Sequence, residues 1–331
     1  MGHLKDIPYS RMSIKFAIVG PGIMSIPPKG WGAVEILIWD YAKALEALGF
    51  ICKIYNDVNL DNVARMIITD KPDFVHIQYD MHSGLVKQIQ NHVKLIAITT
   101  HYGYLDQRNK WGDHYTRVFN QMIVTKSKNL YHFVLSENIK RVYMNNGISE
   151  NKIIVTPNGA NSTLFQYHTN PSFTDRSIYL AKIDNRKRQF LFQNIPNLYF
   201  AGNNCDSRFN SSRYLGEWSK DTLYSSLSNY GSLVLLSDGE ADPLVVKEAL
   251  ICGLGVVISE WSTAGLDLTK PYITVIKESD IGNISHVTKA IEDNRNISIG
   301  MRDTIREYGL TFDWKPLVEK YVENVKCLLN R

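Results

Sequence analysis

The stretch Leu233–Ser259, LVLLSDGEADPLVVKEALICGLGVVIS, limits the possible folds of this chain more than any other. Leu233–Leu236 is an apolar run, long enough for a buried strand and too short for a helix. Ser237–Ala241 supplies turn chemistry, and Asp242-Pro243 reads as an N-cap followed by proline at the first helical position. Leu244, Val245, Ala249, Leu250 and Cys252 make the next segment a mostly apolar helix, which Gly253 ends. Gly255–Ser259 is then another strand, and a strand–helix–strand unit of this length predicts parallel strands.

Parallel order places the helix N-terminus, with the N–H groups of Leu244 and Val245, at the carboxyl end of the sheet, where it attracts phosphate. Glu240 and Glu248 belong to the same loop and helix, and carboxylates beside an anion site repel phosphate unless they face something else, such as sugar hydroxyls. A hydroxyl-rich ligand with a phosphate tail meets both demands. An ordinary crossover with solvated acids is the competing reading. Two glutamates separated by seven residues, on a loop and the helix after it, resemble the signature of family-four retaining glycosyltransferases, which have the two-domain GT-B fold. The segment GEADPLVVKEALICGLGVVIS follows that pattern almost residue for residue.

The resemblance implies an α/β chain of two Rossmann-like parallel-sheet domains facing one another across a cleft. Residues 12–165 would form the acceptor side and 176–310 the nucleotide-sugar side. A C-terminal helix within 311–331 would cross back to the first domain. Length agrees, since 331 residues suggest two domains and 44% hydrophobic content is enough for two cores. A net charge of +4 is too mild for a nucleic-acid binder, which would carry a clustered basic stripe; it fits an anionic substrate. The cysteines Cys52, Cys205, Cys252 and Cys327 have no paired or metal-type spacing and read as free thiols of a reducing compartment. No apolar run approaches a membrane span, and Met1–Arg11 reads as a polar extension and not a signal peptide. The expectation is a cytoplasmic protein with at most peripheral contact at the membrane face.

Along the chain, Phe16–Val19 is the first strand, followed by Gly20-Pro21-Gly22 and a long loop to Gly32. The helix after it carries Val34, Leu37, Ile38, Tyr41, Leu45 and Leu48 on one face. A dinucleotide-binding loop is a competing reading, but no G-x-G-x-x-G follows the strand directly. The loop instead resembles the family's glycine-rich segment, split here as Gly30-Trp31-Gly32-Ala33-Val34-Glu35, which makes Gly32 a donor-side residue and Glu35 a first-turn acid. Pro72–Gln78 and Leu95–Thr99 are further strands; His76 within the first reads as a core histidine. His101 follows the second, at the carboxyl end of a parallel strand where ligands bind. Position alone leaves it structural or functional, and the resemblance implies contact with the donor sugar. Lys152–Gly159 ends the first domain in the turn Pro157-Asn158-Gly159, and Asn161–Asp175 is the linker.

The second domain opens with the strand Ile178–Leu180 and the run Ala181-Lys182-Ile183-Asp184-Asn185-Arg186-Lys187-Arg188. Four cations just past a strand can neutralise a diphosphate, though taken alone they also read as a solvated face. By resemblance Lys182 and Lys187 stabilise the departing diphosphate, while Arg188 replaces the family's glycine, so that Arg186 or Arg188 shares the phosphate role. Glu240 would contact the donor sugar, Glu248 would hold the ribose hydroxyls, and Asp242 would cap its helix or meet a sugar hydroxyl or amine. Trp314–Leu329 is the closing amphipathic helix.

The resemblance therefore implies transfer of a sugar, with retention, from a nucleoside-diphosphate donor of UDP type to an acceptor hydroxyl. The acceptor, whether glycan, lipid-linked or small molecule, stays unnamed. No cofactor and no metal site is expected, because no Asp-x-Asp follows a strand of the second domain and two lysines with a helix end can replace a divalent ion. An epimerase or hydrolase of the same fold and an inactive sugar-nucleotide binding module are the alternatives.

Overall fold

The computed structural model describes residues 14–29, 32–103, 105, 110 and 112–331. The extension over residues 1–11, the first two residues of the 12–165 span, and Gly30 and Trp31 of the first loop lie outside the described residues.

Two fully parallel sheets organise the chain. The first contains β1 (Lys15–Val19), β2 (Ile51–Tyr55), β3 (Phe74–Ile77), β4 (Leu95–Ile98), β5 (Leu130–Val134) and β6 (Ile153–Val155), in the order β2-β1-β3-β4-β5-β6. The second contains β7 (Phe173–Leu180), β8 (Leu198–Ala201), β9 (Tyr230–Leu235), β10 (Gly255–Ser259) and β11 (Ile273–Ile276), in the order β11-β10-β9-β7-β8. β3, β4, β9 and β10, and β1 from Phe16 on, are buried on both faces because helices cover both sides of each sheet. Strand order reverses beside β1 in one sheet and beside β7 in the other, and such switch points open a crevice at the carboxyl ends of the strands. The loops after β1, β4, β7 and β9 all reach that level.

The helix Trp314–Leu329 closes the molecule. Its buried residues Trp314, Val318, Tyr321, Val322, Val325 and Leu328 share one core with Phe16, Ile18, Leu37, Ile38, Tyr41 and Phe74 of the first half. The Trp314 ring packs tilted against Tyr41, 4.6 Å between ring centres, and its indole N–H donates to Asp40 Oδ2 at 3.1 Å. Asp313 caps the helix through the Lys315 N–H.

Some boundaries differ from the sequence reading. β7 begins at Phe173, inside the stretch read as linker, because Phe173 pairs with Tyr230 before the register shifts ahead of Ser177. The proline step also moves by one residue: Pro243 is itself the cap of the helix Leu244–Ile251, and no side chain caps it. Asp242 therefore does not cap; its carboxylate turns inward. The helices Leu60–Asp70, Asp113–Val124, Ile284–Gly300 and Arg302–Gly309 and the strand β11 were not read from the sequence at all.

A candidate sugar-nucleotide cleft

A cavity of about 610 Å³ opens between the two halves at the carboxyl ends of both sheets. Gly32, Ala33 and Leu37 line it from the start of the helix Ala33–Ala47, and His101, Tyr102 and Gly103 from the loop after β4. Across from them stand Lys182, Arg186 and Lys187 after β7, and Glu240, Asp242, Leu244, Val245 and Glu248 after β9. All ten residues assigned to the site from sequence therefore meet at one cavity, although they come from four separate loops.

The cationic loop is held by its own hydrogen bonds. The Tyr179 hydroxyl donates to Lys187 O and accepts from the Leu236 N–H at 2.9 Å, tying the ends of β7 and β9 together. Arg188 occupies the left-handed region, φ 59°, where a glycine is at ease and an arginine is strained. Its guanidinium donates to Leu236 O at 3.1 Å, Ser237 O at 2.9 Å and both Glu278 oxygens at 2.8 and 3.1 Å. Arg188 is thus committed to the loop and does not line the cavity, whereas Arg186 does. Lys182 stands exposed at the rim.

Glu240 Oε1 accepts from Arg186 Nη1 at 2.9 Å and also from Lys187 Nζ. Burial alone would raise this carboxyl, but the charges of Lys187 and Arg186 and the hydrogen bonds from Lys187 and Ser237 outweigh it, so its pKa falls below the ordinary value. Burial depresses the Lys187 pKa, with Glu240 opposing that effect. Glu248 behaves in the opposite way. Desolvation, reinforced by the nearby Asp40 carboxylate, lifts its pKa to about 7, so it changes charge in the neutral range. Asp40 itself is raised to about 6, mainly by burial.

His101 forms part of the opposite wall. Its Nε2 lies 2.7 Å from Gln78 Oε1, and burial lowers its pKa to about 4, so the ring is neutral at pH 7. His76 is a satisfied core histidine, with Nδ1 2.9 Å from the Tyr321 hydroxyl and Nε2 2.8 Å from Thr99 Oγ1. Near His101, Gly103 sits against Glu240: a Cβ on it would lie 2.6 Å from the Glu240 nitrogen. Any side chain at 103 would push the two halves apart.

Asp242 fastens the halves. Its Oδ2 accepts the Asn158 N–H at 2.8 Å, its carbonyl accepts Asn158 Nδ2 at 3.0 Å, and its Oδ1 pairs with the buried Lys247. Asn158, Gly103, Lys247, Asp40 and Gln78 were not among the assigned site residues. Gln78 had a signal, since residues two apart on a strand share a face, and it follows His76 by two. Among the described residues no group of three His, Cys, Asp or Glu side chains is arranged to hold a metal ion, and no helix is long and apolar enough to cross a membrane.

No protein-family model matches the chain, and no curated protein matches its sequence. Solved structures do. Sucrose-phosphate synthase from Thermosynechococcus elongatus superposes with a TM-score of 0.76 at 14% identity, over 96% of this chain and 99% of that one. The fold is GT-B. Anabaena HepE in complex with UDP-glucose gives a TM-score of 0.71 at 12% identity over 95% and 100% of the two chains. The apo form of the lipopolysaccharide outer core galactosyltransferase WaaB gives 0.69 at 17% identity over 94% and 99%. The GT-B arrangement spans nearly the full length of each, with the cavity between its two sheets.

Proposed function

We propose that this GT-B protein is a glycosyltransferase that moves a sugar, with retention and without a metal ion, from a nucleoside-diphosphate sugar to an acceptor hydroxyl. The observation that carries the reading is the pairing, at one cavity, of three cations and a helix N-terminus with two glutamates of opposite electrostatic character. Arg186, Lys187, Lys182 and the first-turn amides of Leu244 and Val245 suit a diphosphate, whose charge grows as it departs. Glu248, poised near neutrality, suits ribose hydroxyls, which both donate and accept. HepE, which shares the fold, binds UDP-glucose, and a uridine donor is the natural first candidate here.

The ion pairs of Glu240 add a step. Glu240 neutralises Arg186 and Lys187 now; an arriving diphosphate takes over those cations and releases Glu240 toward the sugar hydroxyls. In the reaction the anomeric carbon–oxygen bond to phosphate breaks. The acceptor oxygen bonds to that carbon on the same face, and its proton passes to the departing phosphate oxygen. The products are a glycoside and a nucleoside diphosphate.

A thermal-stability screen against nucleotides and nucleotide sugars tests the binding half, since a ligand at 100 times its Kd adds about 2.7 kcal/mol. UDP and a UDP-sugar are expected to stabilise the wild type, and Lys187→Ala to lower turnover ~100-fold or more. A donor-only assay separates transfer from hydrolysis or epimerisation. Absence of stabilisation by every nucleotide sugar, together with unchanged turnover in Lys187→Ala, overturns the assignment.

A further inference from the structure

The hydrogen bonds behind His101 form one unbroken buried chain, and its direction can be worked out from the far end. That end is the backbone carbonyl of Phe133, which only accepts. Thr99 Oγ1 lies 2.8 Å from it and must spend its single proton there. Toward His76 Nε2, also at 2.8 Å, Thr99 can then only accept, so the His76 proton is on Nε2. Burial drives the His76 pKa down to about 3, so the ring is neutral and Nδ1 is bare. That nitrogen receives the Tyr321 hydroxyl at 2.9 Å and the Gln78 amide nitrogen at 3.1 Å. The Gln78 NH₂ group therefore points at His76, and its oxygen points at His101.

We propose that Gln78, aimed by His76 and Thr99, is a positioning residue that locks His101, a ring lining the cavity, with its proton on Nε2 and its Nδ1 bare. An amide oxygen 2.7 Å from Nε2 admits no other tautomer of a neutral ring. Nδ1 is shielded from water and has no hydrogen-bond partner among the described residues. A ligand donor that reaches it relieves an unsatisfied acceptor. His101 thus receives a hydrogen bond from a hydroxyl or amine and gives no proton, and a carboxylate in the same place would meet a lone pair. Naming that hydroxyl as the donor sugar's rests on the transfer reading; the tautomer does not. Tyr321 extends the chain to the C-terminal helix, which thereby helps to aim a group in the cleft.

The test is ¹⁵N NMR of the ligand-free protein with labelled histidine, in which nine histidines are resolved and His101 is assigned by its loss in His101→Asn. The wild type is expected to show His101 protonated on Nε2 and bare on Nδ1. Gln78→Leu is expected to give a mixture of tautomers, because no oxygen then faces Nε2. Unchanged signals from His132, a buried ring on β5 outside this chain of hydrogen bonds, certify that the packing survives. Gln78→Met, closest in shape, replaces Gln78→Leu if the latter does not fold. A proton on Nδ1 in the wild type, or a tautomer indifferent to losing the Gln78 oxygen, overturns the lock. The Nε2–H tautomer in a protein that binds no nucleotide sugar supports the lock and overturns the transfer reading instead.

Discussion

Replacing Lys247 by methionine isolates the buried ion pair behind Asp242, the residue whose contact with Asn158 joins the two halves. Lys247 and Asp242 are each 1% exposed, and Asp242 also accepts the Asn158 N–H. Burial raises the Asp242 pKa and lowers that of Lys247, so desolvation opposes both charges and the intact pair adds little net stability. Breaking it is a different matter. Lys247→Met leaves Asp242 with one backbone N–H for a buried charge, a situation that typically costs about 3–5 kcal/mol. Adding Asp242→Asn removes the stranded charge, and the double variant should recover most of that loss. Urea unfolding provides the assay; at about 2–3 kcal/mol per molar, the single variant should unfold roughly 1–2 M earlier than the wild type. A loss under about 1 kcal/mol, or a double variant no better than the sum of the two singles, would refute the reasoning.

Two further outcomes follow from the glutamates. Glu248 has a folded pKa near 7 against an ordinary 4.5, so its protonated form favours the fold, fully below 4.5 and progressively less as pH rises through 7. Glu248→Gln should therefore gain on the wild type by about 1.5–3 kcal/mol between pH 5 and pH 8, the range allowing for cavity water, and parallel pH profiles in urea would contradict the shift. Glu240→Gln removes the carboxylate that occupies Arg186 and Lys187. UDP should then bind about 10-fold tighter by calorimetry while turnover falls, and weaker binding would show that Glu240 does not compete with the diphosphate.

The parallel sheets were legible because β9, the helix Leu244–Ile251 and β10 are apolar runs punctuated by Gly and Pro. The cavity residues were legible because parallel strands send their loops to one end. The helix Ile284–Gly300 was not, since it buries Asn294, Arg295 and Ser298 beside Val287 and Ile291, which erases the apolar stripe. Asn294 Nδ2 donates to Val256 O at 3.2 Å and Tyr272 O at 3.0 Å, so polar side chains take positions that periodicity assigns to apolar ones. Asp242 misled for a related reason. Asp-Pro before a helix normally caps, and it is the pairing with Lys247 five residues on and the distant Asn158 contact that draw the carboxylate inward. Long-range partners of this kind leave no local trace.

The closing helix has a consequence for how the molecule comes into being. Phe16, Leu37, Tyr41 and Phe74 are made early, yet the surface that covers them, Trp314 to Leu328, is made only after both sheets. During synthesis the earlier half must wait with an oily flank bare while the whole later half forms. A ribosome halted at about residue 312 would release a chain with both sheets present and that flank open to any passing apolar surface, so early stop codons should yield aggregation more readily than a smaller working protein.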